Sequence, residues 1–209
     1  MNDKSTKERV IDAAIQLFFQ KGFHATSTRD ITNKIRVNGS LISYHFNGKQ
    51  GLLEEIVVSY YEQLIECMER VMGQDMDSET EHLKEVIEEV FRFKYNTFYQ
   101  STVVHRELTL DSTFVREILT TYIRKENYYL THLFHGHIEH YPHLKQHIPI
   151  YVMQLKGMIV SPFTMHHEWR KDLFSRKVDS HMCLKYIEHI HHWVDSIKET
   201  DKTIQFIAH

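Results

Sequence analysis

An all-α protein is predicted by three observations. Only 7 Gly and 3 Pro are spread over 209 residues, too few turn residues for a sandwich or barrel of many short strands. Apolar residues recur at spacings of three and four along most of the chain, the period of a helix that buries one face. Pairs of the Ser-x-x-Glu or Ser-x-x-Asp kind precede several of these runs, and such pairs satisfy free N–H groups at helix starts. With 42% hydrophobic and 25% charged residues, the chain can bury a sizeable globular core.

The first helix is capped by Ser5-Thr6-Lys7-Glu8. It carries Val10, Ile11, Ala14, Leu17 and Phe18 at helical spacing up to Gly22, which predicts a helix from Thr6 to Gln20. Ser27-Thr28-Arg29-Asp30 opens a second, short helix with Ile31 and Ile35 inward. After a break at Arg36-Val37-Asn38, Asn38 caps a third from Gly39 to Phe46, with Leu41 and Ile42 inward. Three short helices with a tight turn between the second and third make a helix-turn-helix.

Beyond Gly48 the elements lengthen. Leu52, Leu53, Ile56, Val57, Tyr60, Leu64, Met68 and Val71 form one stripe, predicting a helix that ends near Gly73. Ser78-Glu79-Thr80-Glu81 caps the next, which runs through Leu83, Val86, Ile87, Val90 and Phe91 to about Tyr99. A short helix over Val103–Leu110 and a long one over Phe114–Phe134 follow, then one over Ile148–Val160 that stops before Pro162. In the last helix Cys183, Ile187, Ile190, Val194 and Ile197 are spaced 4, 3, 4, 3, a heptad-like seam for pairing across a dimer interface. The alternative for the same stripe is an internal core face.

Charge divides the chain. Residues 1–50 carry eight Lys and Arg against four Asp and Glu, net +4, whereas the rest carries 17 against 24, net −7. A basic module ahead of an acidic body points to nucleic acid as the partner of the first part. No apolar run approaches the ~18 to 20 residues that cross a bilayer, and the N-terminus shows no export signal, so a cytoplasmic, nucleoid-associated protein is expected. Cys67 and Cys183 stand in no Cys-x-x-Cys arrangement and are expected as free thiols.

Catalysis finds no motif: Gly-x-Ser-x-Gly, a glycine-rich phosphate loop and His-Glu-x-x-His are all missing from the sequence. A non-enzyme without cofactor is expected. Of 17 histidines, six fall between His132 and His147, and others occur as His166-His167 and at 189, 191 and 192. His143 and His147 stand at i and i+4, as metal ligands do on one helical face. No carboxylate or thiolate completes a ligand set at recognisable spacing, so a solvated face and no metal are expected. Phe91, Phe93, Tyr95, Phe98, Tyr99, Tyr128 and Tyr129 are candidates for a cavity lining, with core as the plainer expectation.

The run through Thr28, Asp30-Ile31, Val37-Asn38, Ile42, Tyr44-His45-Phe46, Lys49 and Leu52-Leu53 resembles the N-terminal domain of TetR-type regulators. The resemblance implies a helix-turn-helix DNA-binding domain over residues 1–50 and a helical dimerisation and regulatory domain over 51–209. Two positions depart from it. Arg36 stands where the family has a turn glycine, at a cost of ~1 kcal/mol if the turn is left-handed, and Ser43 replaces a commoner tyrosine. The third helix is expected in the major groove, with Asn38, Gly39, Ser40, Ser43 and Tyr44 nearest the bases and backbone. Thr28, Arg36, His45 and Lys49 are expected on phosphates. A homodimer would set two such helices one DNA turn, ~34 Å, or more apart on a near-palindromic double-stranded site.

The segment from His105 to Leu119 is similar to a TetR-like subgroup of endospore-forming bacteria. That similarity implies an action on the division protein FtsZ during sporulation, with Glu54, Glu62, Glu107, Arg116 and Glu117 as candidates for the partner surface. The structural alternative pairs Arg106, Glu107, Arg116 and Glu117 with one another as surface ion pairs. The competing function is a ligand-responsive repressor whose effector enters the helical body.

Overall fold

A computed structural model describes residues 5–109, 113–165 and 180–207. Every regular element in them is helical. α1 (Thr6–Lys21) begins on a complete capping box: Ser5 Oγ accepts from the Glu8 N–H at 3.2 Å, and Glu8 Oε2 accepts from the Ser5 N–H at 2.7 Å. α2 (Thr28–Ile35) repeats the device with Ser27 and Asp30. The Ser27 backbone and hydroxyl donors hold the Asp30 carboxyl below its ordinary range. α3 (Ser40–Phe46) starts differently from the expected cap. Its N-cap is Gly39, and Asn38 Oδ1 takes both the N–H and the hydroxyl of Ser40 at 3.0 Å, a turn closed just ahead of the helix.

α4 (Lys49–Met72) and α5 (Glu79–Asn96) follow, the latter with the Glu81 N–H on Ser78 Oγ at 3.2 Å. The predicted continuation to Tyr99 breaks at Asn96-Thr97, two residues of poor helix propensity, and Tyr99 belongs to α6 (Phe98–Glu107). α7 (Thr113–Ile118) leads through a π-helical turn, Leu119–Ile123, into α8 (Arg124–His137), so the long predicted helix is one helical path with a widened turn in it. After a 3₁₀ turn at Pro142–His147 come α9 (Ile148–Thr164) and α10 (Ser180–Ile207). Pro162 does not stop α9. Its missing N–H would have paired with the Met158 carbonyl, and that oxygen is satisfied instead by the Tyr186 hydroxyl from α10 at 2.7 Å and by Ser161 Oγ at 3.1 Å.

The chain divides into two compact units, residues 1–64 with 95–122, and residues 65–94 with 123–209. The predicted head, 1–50, lies inside the first, which also takes in the start of α4, all of α6 and all of α7. Its core gathers Val10, Ala14 and Phe18 of α1, Ile31 of α2, Ile42 and Phe46 of α3, Leu52, Ile56 and Tyr60 of α4, and Val103 and Val104 of α6. The Ser101 hydroxyl donates to the buried Tyr60 oxygen at 3.1 Å, which satisfies a polar pair inside this core.

The second unit is built on Met68, Leu83, Val86, Ile87, Phe91, Leu133, Phe134, Leu155 and Ile159. The seam of α10 belongs to this core. Cys183, Ile187, Ile190, Val194 and Ile197 are all buried within the single chain, against α5, α8 and α9, as contacts such as Phe91–Tyr186, Phe134–Trp193 and His137–Val194 show. The heptad-like stripe is therefore an internal face and not the dimer seam predicted for it. His143 and His147 are both exposed on the 3₁₀ turn, where four residues advance the chain by 120° beyond a full turn, so they do not share a face. His166-His167 lies outside the described residues.

Candidate nucleic-acid interface

The turn between α2 and α3 closes on the backbone. The Val37 N–H reaches the Thr32 carbonyl at 3.1 Å and the Arg36 N–H reaches Asn33 O at 3.3 Å. This closure puts Arg36 at φ 57°, ψ 51°, a left-handed conformation that glycine adopts freely and arginine does not. The turn is kept and the strain accepted. α3 ends with Asn47 at φ 57° and Gly48 at φ 99°, which reverses the chain into α4. Gly51, in the first turn of α4, runs so close to the end of α3 that a Cβ there would sit 1.8 Å from the Phe46 carbonyl oxygen.

These contacts hold α3 with Ile42 and Phe46 buried and Leu41 half-buried. Its other face is polar and open: Ser40, Ser43, Tyr44 and His45 are exposed, as are Arg36, Asn38 and Gly39 in the turn ahead. Tyr44 is 83% exposed, with only its ring edge against His45, centroids 4.9 Å apart. Thr28 is half-buried at the start of α2. The structure thus brings the predicted residues from Arg36 to His45 to one surface.

Lys49 is placed otherwise. Its ammonium donates to the Thr26 and Phe23 carbonyls at 2.7 and 2.8 Å and stands 4.4 Å from the centre of the Phe23 ring, engaged inside the head where a phosphate contact was expected. Two cations that the motif reading passed over, Arg29 and Lys34, are exposed on α2. The signal for them was the basic surplus of the first 50 residues. Arg9 was also passed over, and its guanidinium binds the Ile35 carbonyl at 3.1 Å, at the end of α2.

The residues expected on a protein partner divide. Arg116 and Glu117 are exposed on α7 and Glu62 is exposed on α4, where it accepts from the Tyr122 hydroxyl at 3.4 Å. Glu54 is half-buried and accepts from Gln50 at 3.1 Å. Glu107 is buried, its carboxylate 3.3 Å from Arg106 Nε. A side chain so covered is unavailable to a partner, and of the ion pairs considered as the alternative this is one that forms.

Residues 10–56 match the pattern of bacterial regulatory proteins of the tetR family. The chain is 32% identical over 197 residues to the probable HTH-type transcriptional regulator YttP of Bacillus subtilis (strain 168), covering 94% of this chain and 95% of that one. The chain belongs to the TetR family. TetR relatives extend from the head to the whole fold. Over 58 residues, 28% of this chain and 31% of the relative, it is 33% identical to the biofilm operon icaADBC HTH-type negative transcriptional regulator IcaR of Staphylococcus aureus (strain Newman). The structure of the ketosteroid transcriptional regulator KstR2 of Mycobacterium tuberculosis superposes with a TM-score of 0.76 at 12% identity, covering 93% of this chain and 96% of that one. TetR regulators bind DNA as dimers, and the relatives are regulators of transcription rather than enzymes. No helix among the described residues is long and apolar enough to cross a membrane.

Proposed function

We propose that this TetR regulator is a homodimeric repressor that reads a near-palindromic DNA site with α3. The observation that carries the reading is the outward face of α3, where Ser40, Ser43 and an 83% exposed Tyr44 stand opposite the buried Ile42 and Phe46. An aromatic ring so bare on a helix packed by a strained turn is suited to base edges and sugar–phosphate in a major groove. Arg36 and His45 flank it, and Thr28, Arg29 and Lys34 supply further phosphate contacts from α2. The IcaR relative is a negative transcriptional regulator, and occupation of a promoter by such a dimer blocks transcription directly.

With the α10 seam buried, the dimer surface is assigned to exposed apolar side chains of the second unit. Ile150 and Met153 on α9 share a face with Gly157, at spacings of three and four, and Leu184 of α10 is exposed as well. Beyond Gly157 lies open space in which a partner helix finds room. Effector response is assigned to the same unit. A cavity of about 10 Å³ there is lined by Met68, Ile87, Val90, Leu130, Ile159 and the ion pair of Lys156 with Glu126, 2.7 Å apart. That space holds about one water, and an effector entering it would part the helices around it.

Crosslinking and sequencing the DNA bound in the native cell, beside transcripts of a deletion strain, tests this reading. Sites at promoters whose transcripts rise on deletion support it; bound sites with unchanged neighbouring transcripts overturn repression. That second outcome favours the reading drawn from residues 105–119, an action on FtsZ, for which the exposure of Arg116 and Glu117 on α7 speaks. Its own test is binding of purified FtsZ to wild type against Arg116→Ala and Glu117→Ala, and equal binding by all three removes those residues from it.

A further inference from the structure

Two cations of the first unit bind carbonyls in the last turn of α1 and in the connection that leads from it to α2. From one side Lys49 Nζ donates to Phe23 O at 2.8 Å and Thr26 O at 2.7 Å, with His24 O at 3.5 Å. From the other, Arg106 Nη2 donates to Phe18 O, the carbonyl near the end of α1, at 2.5 Å, while its Nε faces the buried Glu107 at 3.3 Å. An ammonium has three donors; two of those of Lys49 make short bonds to carbonyls and the third faces His24 O at the outer limit of bonding distance, so a DNA phosphate would have to compete with bonds already made. Charged donors make the stronger hydrogen bonds, and the Phe23 ring beneath the ammonium adds its quadrupole.

Position gives these bonds their meaning. Lys49 is the first residue of α4, directly after the reversal that ends α3. Its stem ties the α3–α4 corner to the α1–α2 turn, which leads straight into α2. Arg106 fixes the same region to the end of α6.

The geometry points to Lys49 and Arg106 as positioning residues for DNA binding, a clamp on the end of α1 and the α1–α2 turn that sets the aim of α3. The inference rests on the DNA-reading role of α3 and deepens it. Neither residue touches DNA in this arrangement. Removing either misaims the recognition helix without subtracting a phosphate contact.

The test uses the full-length protein and a duplex that the wild type enriches from a random-sequence pool, with an unselected duplex of equal length beside it. Lys49→Met keeps the stem over Phe23 and removes the donors; Arg106→Met does the same at the other side. Each variant is expected to weaken binding to the selected duplex about tenfold, the loss of one or two charge-assisted hydrogen bonds. The ratio of selected to unselected affinity should narrow, and the slope of log Kd against log salt should stay as in wild type. A role confined to stability would leave that ratio unmoved. A fall of about 0.9 in the slope for Lys49→Met marks a released phosphate contact and overturns the inference, as does unchanged affinity. Lys49→Gln, whose amide still donates to the carbonyls, serves where the methionine variant fails to fold: intermediate affinity at the wild-type slope supports the clamp, and a fallen slope overturns it. A wild type that enriches no duplex overturns the DNA reading and the clamp together.

Discussion

α3 and α10 each bury apolar residues at helical spacing, and they differ in what the rest of the helix offers. In α3 the apolar residues anchor a helix whose other face stays open, with Ile42 and Phe46 covered and Tyr44 bare. In α10 the evenly spaced residues, Cys183 to Ile197, are themselves consumed by the core of their own unit. Spacing names the face that is covered and is silent about what covers it. The largest effect should separate the two cases at α10 and α9. Ile190→Asp sets an unpaired carboxylate in the core and should cost about 4 kcal/mol or more, abolishing cooperative thermal unfolding followed by circular dichroism. Met153→Glu, at a site 66% exposed, should leave the melting temperature within a few degrees and turn the dimer to monomer in sedimentation velocity. A monomeric Ile190→Asp that melts as wild type would return the dimer seam to α10.

The second contrast concerns the histidines, expected on a solvated face: the one among the described residues whose titration the structure moves, His137, lies in the core. His137 is buried between α5 and α10: its Nε2 lies 3.1 Å from the Val194 carbonyl, a pairing that requires a proton on that nitrogen, and Nδ1 lies 3.0 Å from Thr80 Oγ1, which in turn accepts from Lys198 at 2.7 Å. Burial, and then the charge of Lys198 nearby, push its imidazole down to about 4, against the weaker upward pull of the Val194 carbonyl and Asp195. The folded chain therefore holds this ring neutral where the unfolded chain protonates it. Its contribution is whole above about pH 6.5 and is lost as pH falls toward 4, about 3 kcal/mol in all. Urea midpoints measured from pH 7.5 to 4.5 for wild type and His137→Asn should converge toward acid, because the variant lacks this titration. Parallel curves would show that other groups carry the acid sensitivity.

Tyr44 sharpens the contrast at α3. With so little of the ring in contact, Tyr44→Ala should change stability by less than about 0.5 kcal/mol and weaken specific DNA binding by on the order of 1–2 kcal/mol, read as anisotropy of a labelled duplex. A lowered melting temperature with intact binding would make the ring structural. The head was legible because its signals are local: Ser5 with Glu8, Ser27 with Asp30, and the break at Arg36-Val37-Asn38 lie within a few residues of what they shape. What escaped the sequence depends on distant partners. Lys49 finds its carbonyls across the α1–α2 turn, Glu107 is covered by elements that its own helix does not name, and Pro162 stays helical because Tyr186 reaches the freed carbonyl from another helix. Spacing alone gives the seam of α10 as apolar, and only the elements stacked on it decide between core and interface.

Arg36 is where local strain and the proposed surface meet, and it carries the smallest expected effect. The turn demands φ 57° and ψ 51°, a conformation costing a side chain roughly 1 kcal/mol that glycine does not incur. No hydrogen bond or ion pair among the described residues holds its guanidinium, which is exposed beside α3. Strain at an exposed position with no internal reward is retained for something outside the chain. Arg36→Gly should therefore stabilise the head by at most about 0.5 kcal/mol, after the entropy that glycine restores to the unfolded chain is set against the strain relieved. The same change should weaken DNA binding and reduce the salt slope by about 0.9, one phosphate contact fewer. Thermal unfolding and salt-dependent anisotropy on one preparation read both numbers. A variant that gains stability and binds with the wild-type slope would leave the arginine without the role that explains its strain.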